Sequence, residues 1–270
     1  NFNPCIPEWE NRDRFILSAG HGSMLIYSLL FLLGYPKISL EQIKKFRKLN
    51  SPTAGHPEYN ELPGIETTTG PLGQGLGNGL GMAISEQILR RKYGEDIFNH
   101  FTYILAGDGC LMEGISHEFA SLAGHLNLLS LIVLYDDNKI TIDGPTSITM
   151  SDNTADRFKS LGWHTIKVDG YNFNQINDAL IEAKATMKPS LISFQTTIGF
   201  GSPSKQGTAA THGAPLGEEE IKKAKLARDW SLEKFHVPAE VLNYWKVAGA
   251  RNIEKSEVWQ KKYNEKVKKI

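Results

Sequence analysis

Residues 101–138, FTYILAGDGCLMEGISHEFASLAGHLNLLSLIVLYDDN, decide the fold. They read as an apolar strand from Thr102 to Ala106, a turn at Gly107-Asp108-Gly109, a helix from about Glu113 to Leu126, and a second apolar strand from Ser130 to Tyr135. The pattern continues downstream, with a strand at His164 to Val168, a helix at Asn174 to Met187 and a strand at Leu191 to Thr196. Strands alternating with helices of ten or more residues build βαβ units and a parallel sheet. The expected class is α/β, a mostly parallel sheet with helices on both faces.

Upstream, residues 8–19 pass from charged to apolar, and Gly20-His21-Gly22 breaks them before an apolar helix from Ser23 to Leu33, so His21 stands at a helix entrance. A second helix is expected from Leu40 to Leu49, opened by Ser39 with Gln42 at capping-box spacing. An irregular stretch, 51–70, holds Gly55-His56-Pro57, and loops of that length are functional or disordered. Glycines at 70, 73, 75, 77, 79 and 81 then run into an apolar helix ending near Tyr93. Glycine weakens a helix by roughly 1 kcal/mol relative to Ala, so another helix or a ligand is expected to approach this backbone closely. Downstream, a Gly/Ser/Thr-rich loop at 199–217 holds His212. The expected organisation is one domain at 1–216 and a charged, solvated helical tail or linker at 217–270, whose Trp230, Tyr244, Trp245, Trp259 and Tyr263 pack against the body.

Composition narrows the function. The chain has 270 residues, with 30 Lys+Arg against 30 Asp+Glu, which gives no electrostatic footprint for nucleic acid. The most apolar stretch, 24–35, is too short for the roughly 18 to 20 residues of a membrane-spanning helix, and no signal peptide opens the chain. Cys5 and Cys110 form neither a disulfide framework nor a zinc pattern, which fits a reducing cytoplasm. The chain opens on Asn1 and not Met, which reads as trimmed. No Gly-Lys pair exists for a P-loop, the glycines at 70–81 lack the dinucleotide spacing, and His117-Glu118 is followed by Ser121 where HExxH needs a histidine.

Asp108 and Asn138 carry the chemistry. Thirty positions separate them, the length of a turn, a crossover helix and a strand, so both fall at the carboxyl edge of adjacent parallel strands, where open α/β sheets bind ligands. Singly, Gly-Asp-Gly is a tight turn and Asn a strand-end cap. Together they supply hard oxygen donors of the kind Mg²⁺ takes alongside phosphate oxygens, and the flanking glycines and helix start admit a phosphate. A diphosphate-metal site is the reading.

These residues resemble a known family. Gly-Asp-Gly followed by Asn138 matches the thiamine diphosphate signature, and 107–114 (GDGCLMEG), 135–144 (YDDNKITIDG), 67–75 (TTTGPLGQG), 12–21 (RDRFILSAGH), 55–58 (GHPE) and 212–215 (HGAP) are similar to transketolases in colinear order over nearly the whole chain. The resemblance implies a thiamine diphosphate-binding fold of the diphosphate-binding (PP) type. It also implies transfer of a two-carbon ketol unit from a ketose phosphate to an aldose phosphate in the pentose phosphate pathway. Asp108, Asn138 and the carbonyl of Ile140 would hold Mg²⁺, for which Ca²⁺ can substitute. Gly70, Pro71, Leu72, Gly109, Asn138, His21 and His212 would contact thiamine diphosphate. His21, His56 and His212 are the implied catalytic histidines, either positive or donating, with His56 on the donor's hydroxyls; a single His after Gly is more often a cap or turn residue, but three on separate Gly-flanked loops are less easily dismissed. Glu113 matches an acid at the subunit contact of a homodimer. His100, His117, His125, His164 and His236 match no family site, and Cys110 reads as a small buried residue.

The family's N-terminal segment would precede Asn1, and its pyrimidine-binding domain would follow Ile270 or come from a partner subunit. The chain is therefore expected to supply the diphosphate half of a site, to bind cofactor weakly alone and to turn nothing over. A dihydroxyacetone or deoxyxylulose phosphate synthase, or a non-catalytic module of the same fold, are the alternative readings.

Overall fold

Leu131, Ile132 and Val133 are all fully buried, so the strand they form has no solvent face. The computed structural model describes residues 1–266, and the end of the 217–270 tail lies outside the described residues. In chain order the elements are β1 (Arg14–Leu17), α1 (Met24–Leu33), α2 (Leu40–Lys44), α3 (Gln74–Tyr93), β2 (Thr102–Gly107), α4 (Asp108–Met112), α5 (Gly114–His125) and β3 (Leu131–Asp137). There follow a short antiparallel ribbon of β4 (Ile140–Thr141) and β5 (Gly144–Pro145), then α6 (Thr154–Ser160), β6 (His164–Asp169), α7 (Phe173–Ala185), β7 (Ser190–Gln195), α8 (Glu218–Leu226), α9 (Ala239–Ala250) and α10 (Ile253–Lys266). The main sheet has five strands, all parallel, in the order β1-β2-β3-β7-β6.

Alternate residues on each strand face opposite sides, and both sides are covered. Ile16, Ile104, Val133 and Leu191 pack with Leu76 and Ala83 of α3, Phe119 of α5 and Phe158 of α6. On the other face Leu17 meets Ile26, Tyr27 and Leu30 of α1, while Ile132 and Ile192 meet Ala179 and Ala183 of α7. Helices on both faces of a parallel sheet are the expected class.

Three local expectations change. β1 is a short edge strand where the sequence showed only an apolar segment. The helix opened by Ser39 begins as read, with the Ser39 N–H donated to Gln42 Oε1 at 3.0 Å, but α2 stops at Lys44 and not Leu49. Arg47 and Asn50 take positive φ of 60° and 61°, and the Arg47 N–H bonds Thr53 O at 2.9 Å, a geometry no helix holds. Gly107-Asp108-Gly109 is not a free turn, since Asp108 already begins α4. The crowding of the glycine-rich helix is settled within the chain: a Cβ at Gly79 would lie 2.4 Å from Ile104 Cδ1, and one at Gly77 2.9 Å from Ile115 Cδ1 of α5. α3 thus presses on the sheet and on α5, and the helix is one of the two neighbours expected.

The tail is helical but not wholly solvated. Trp259 of α10 is 5% exposed and clusters with Trp9, Ile97 and Phe98, because an indole of this size is stabilised by leaving water even on a charged helix. Tyr244 and Trp230 remain exposed at 75% and 43%, so the expected packing holds for only part of the aromatic set.

Candidate active site

Asp108 leaves β2 where Gly107 pairs in register with Asp136 of β3. Its side chain is 3% exposed; Oδ1 accepts a hydrogen bond from the Tyr135 hydroxyl, and Oδ2 is buried with no partner. Burial pushes this carboxyl above its ordinary range; the Tyr135 hydrogen bond opposes the shift and neighbouring Asp137 adds to it. Asn138 follows β3. Its Nδ2 donates to Asp136 Oδ2 at 2.9 Å, and its Oδ1 accepts the Ile140 N–H at 2.9 Å, keeping a second lone pair. Lys139, at φ 64°, turns the chain so that Ile140 enters the ribbon, and α4 packs against β4. Asp108, Asn138 and Ile140 therefore share one edge of the sheet.

This donor set fits a magnesium ion. Its atoms are oxygens, and the buried, unpartnered Oδ2 of Asp108 is the kind of group a native fold leaves only for an ion, a water or a ligand. Among the described residues no three His, Cys, Asp or Glu side chains group to hold a metal, and the donors at this edge are one carboxylate, one amide and one backbone carbonyl.

The histidines come from three separate segments. His21 lies in a single 3₁₀ turn after β1, and His212 in the 199–217 loop after β7. Their rings stack at 4.9 Å between centroids and 23° between planes. Because β2 and β3 stand between β1 and β7, that loop must cross the carboxyl ends of both to bring His212 to His21. Gly55-His56-Pro57 is held by α1 and its cap: Ser23 Oγ donates to Gly55 O at 2.9 Å, and Tyr27 Oη to Ala54 O at 3.0 Å and His56 O at 3.2 Å. Arg12 grips Glu66 through two bonds of 2.9 and 2.8 Å, fixing the far end of the same loop.

Residues 70–73 join these groups. A Cβ at Gly70, whose φ is 150°, would sit 3.2 Å from the His56 ring, and one at Gly20 would lie 2.8 Å from Gly70 N. Further along, Leu72 Cδ1 lies 2.9 Å from where a Gly109 Cβ would stand, and Glu113 Cβ lies 3.1 Å from where a Gly73 Cβ would stand. The strip runs from the histidines to Asp108's helix and on to the exposed Glu113. Burial lowers the His21 pKa, with His212 and then His56 adding to the effect, and burial lowers that of His212. Both shifts favour the neutral imidazole over the charged one. His212 Nδ1 is buried without a partner.

The remaining histidines lie elsewhere: His100 bonds Asn11, His117 meets Arg157, His125 ends α5, His164 meets Glu182, and His236 meets Glu233. Cys110 is buried and Cys5 exposed, both as thiols. A cavity of about 300 Å³ opens beside the site, lined in part by Asp137, Lys139, Asp152 and Lys167, and not over the histidines. Sequence reasoning missed the residues that hold Asp108 and Asn138 in place: Tyr135, Asp136 and Thr196, whose hydroxyl donates to Asp136 Oδ1. The first two stand inside the quoted YDDN block, where strand alternation alone sends them to opposite faces.

Fold and site together define an α/β domain of the thiamine diphosphate-binding type. The family model described as "Transketolase, thiamine diphosphate binding domain" matches residues 1–270, and the chain belongs to the transketolase family. It is 55% identical over 270 residues to transketolase 1 of Aliivibrio fischeri, covering 98% of this chain and 40% of that protein. It is 53% identical over 264 residues to the transketolase of Halalkalibacterium halodurans, covering 96% and 40%. Among solved structures, the transketolase of Campylobacter jejuni superposes with a TM-score of 0.96 at 42% identity, covering 99% of this chain and 42% of that one. The Pichia stipitis transketolase in complex with sedoheptulose-7-phosphate does so at 0.95 and 45%, covering 99% and 41%. The chain thus spans about 40% of the length of the curated relatives it matches.

Proposed function

We propose that this chain supplies the diphosphate- and metal-binding half of a transketolase active site, which moves a two-carbon ketol unit from a ketose phosphate to an aldose phosphate in the pentose phosphate pathway. The observation that carries the reading is the Asp108 carboxylate, buried at a strand end with one oxygen free, beside Asn138 on the next strand. Asp108, Asn138 and the Ile140 carbonyl would hold Mg²⁺, or Ca²⁺ in its place, against the diphosphate. Gly70, Pro71, Leu72 and Gly109 line the approach of thiamine diphosphate, which when bound serves as the electron sink for cleavage of a C–C bond.

This chain's own groups bind, orient and move protons. A neutral imidazole donates from one nitrogen and accepts at the other. His21 and His212, stacked and with burial favouring their neutral forms, are therefore suited to hydrogen-bond an oxygen on which negative charge develops and to pass a proton to it. His56, exposed beside Gly70, faces the space where a donor sugar's hydroxyls would lie. A pyrimidine-binding domain, from the same enzyme or a partner subunit, completes the site, with Glu113 at the contact of a homodimer. The domain is built on 1–216, and 217–270 is a helical extension whose α9 and α10 pack back on it. Two free thiols suit a cytoplasmic setting, and no helix among the described residues is long and apolar enough to cross a membrane.

Calorimetric titration with thiamine diphosphate and Mg²⁺, with and without a pyrimidine-binding domain, tests the reading. Binding is expected to be weak for the chain alone, strong with the domain, and lost in Asp108→Ala. Unchanged binding in that variant would remove the metal assignment, and ketol transfer by this chain alone would overturn the division of the site.

A further inference from the structure

We infer that Tyr135 and Asp136, consecutive on β3, are positioning residues that orient the two side-chain metal ligands, Tyr135 setting Asp108 and Asp136 setting Asn138. The inference rests on the metal reading above and deepens it. In a strand, neighbouring side chains leave on opposite faces, so one dipeptide reaches ligands on either side of the sheet edge.

On one face, the Tyr135 ring is 1% exposed and embedded in the core with Leu131, Val133 and Leu191. Its hydroxyl cannot swing away. By donating to Asp108 Oδ1 it uses one carboxylate oxygen and leaves Oδ2 aimed, buried and unpartnered. A carboxylate held only for structure would have both oxygens satisfied, because a buried acceptor left unpaired costs about 1 to 3 kcal/mol.

On the other face, Asp136 decides which way the Asn138 amide points. Asp136 Oδ1 accepts from Thr196 Oγ1, which locks the carboxylate to the segment after β7, and Oδ2 accepts the Asn138 Nδ2–H at 2.9 Å. A carboxylate only accepts, so the NH₂ end of the amide must face Asp136 and the oxygen must face away. That oxygen takes the Ile140 N–H with one lone pair and keeps the other for a cation. Were the amide to flip, it would present an NH₂ group to the metal. Asp108, Asp136 and Asp137 lie along this edge without forming one cluster, and among the described residues only Asp137 has a cationic partner, Lys139 at 2.5 Å. The excess of negative charge is what a divalent ion would neutralise.

The test titrates Mn²⁺ into the full chain with its complementary domain and thiamine diphosphate. Free Mn²⁺ is read by electron paramagnetic resonance, and melting is followed with and without metal. Tyr135→Phe deletes one hydroxyl and keeps the ring. Asp136→Asn lets the amide pair flip, and Thr196→Val loosens Asp136 without touching a ligand. Each of the first two is expected to weaken Mn²⁺ by about 10- to 100-fold, the usual effect of losing a group that orients a ligand. Thr196→Val is expected to weaken it less, and Tyr135→Phe to melt lower than wild type without metal, because Asp108 Oδ1 then loses its only partner, and to show a smaller metal-induced rise. Mn²⁺ affinities within twofold of wild type for Tyr135→Phe and Asp136→Asn, with Asp108→Asn abolishing binding, would overturn the positioning roles and leave the metal site standing. Wild-type affinity in Asp108→Asn would bring down both. If Tyr135→Phe fails to fold, Asp136→Asn and Thr196→Val decide the matter by the same criterion.

Discussion

His100 is 2% exposed, with Nδ1 3.1 Å from Asn11 Oδ1. Burial, with Arg14 and Arg12 nearby, lowers its pKa from 6.5 to about 3. The sign follows directly: the unfolded chain takes up this proton near pH 6.5 and the folded one does not. Stability contributed by the neutral ring is therefore present above pH 6.5 and lost progressively as pH falls toward 3. Where only the unfolded state is protonated, one such group contributes a slope of about 1.4 kcal/mol per pH unit. Replacing it by Gln, which keeps an uncharged hydrogen-bonding group, is expected to flatten the stability profile between those values. Urea midpoints from pH 7 to 4 measure this, and parallel profiles for wild type and His100→Gln would refute it. The proposed site residues were legible at this scale because Asp108, Asn138 and the histidines advertise themselves by type and flanking glycines. Tyr135 and Thr196 did not, since a tyrosine in an apolar strand and a threonine after one look like ordinary β residues until their hydroxyls are seen to bond carboxylates.

At the level of elements, helix glycines separate propensity from packing. Gly81 in α3 is exposed, and an added Cβ would meet nothing within 4 Å. Gly81→Ala should stabilise the protein by about 0.5 to 1 kcal/mol through propensity alone. Gly124 in α5 would place its Cβ 1.8 Å from the Leu161 carbonyl oxygen. Backbone cannot yield as a side-chain tip does, so Gly124→Ala should lose about 2 kcal/mol despite the same propensity gain. Denaturant melts of the pair check the signs, and a stabilised Gly124→Ala would contradict the packing.

The His212 loop has an anchor of another kind. Glu220 of α8 accepts from Ser202 Oγ at 2.5 Å and from Ser204 N and Oγ at 2.8 and 2.5 Å, bonds that lower its pKa from 4.5 to about 2. A depressed carboxyl stabilises above its unfolded pKa of 4.5, and that contribution fades as pH drops toward 2. Glu220→Gln should loosen the loop at pH 7, seen as faster proteolytic cleavage within 199–217, and flatten the acid limb of the stability curve. Equal cleavage rates would argue against the anchor.

Across the whole molecule, the tail closes on the start of the chain. Trp259 Nε1 donates to Ile97 O at 2.6 Å, its ring lies 6.1 Å from Trp9 edge-on, and Asn3 Nδ2 bonds Ser256 Oγ at 2.8 Å. α9 sits on α1 closely enough that a Cβ at Gly249 would approach Leu33 O to 2.2 Å. Trp259→Ala is expected to destabilise the protein by about 3 to 5 kcal/mol, the range for emptying a buried aromatic site, and a loss under 1 kcal/mol by thermal melting would show the tail to be dispensable. The sequence alone determined the α/β alternation, the strand ends carrying Asp108 and Asn138, and the three glycine-flanked histidines, because residue type and period are local properties. Only the tertiary structure decided that β7 inserts beside β3, that its loop crosses two strand ends to stack His212 on His21, and that Tyr135 and Asp136 aim the oxygens. Those outcomes depend on which strands become neighbours and on how their side chains fill the space between, and neither is written in any single segment.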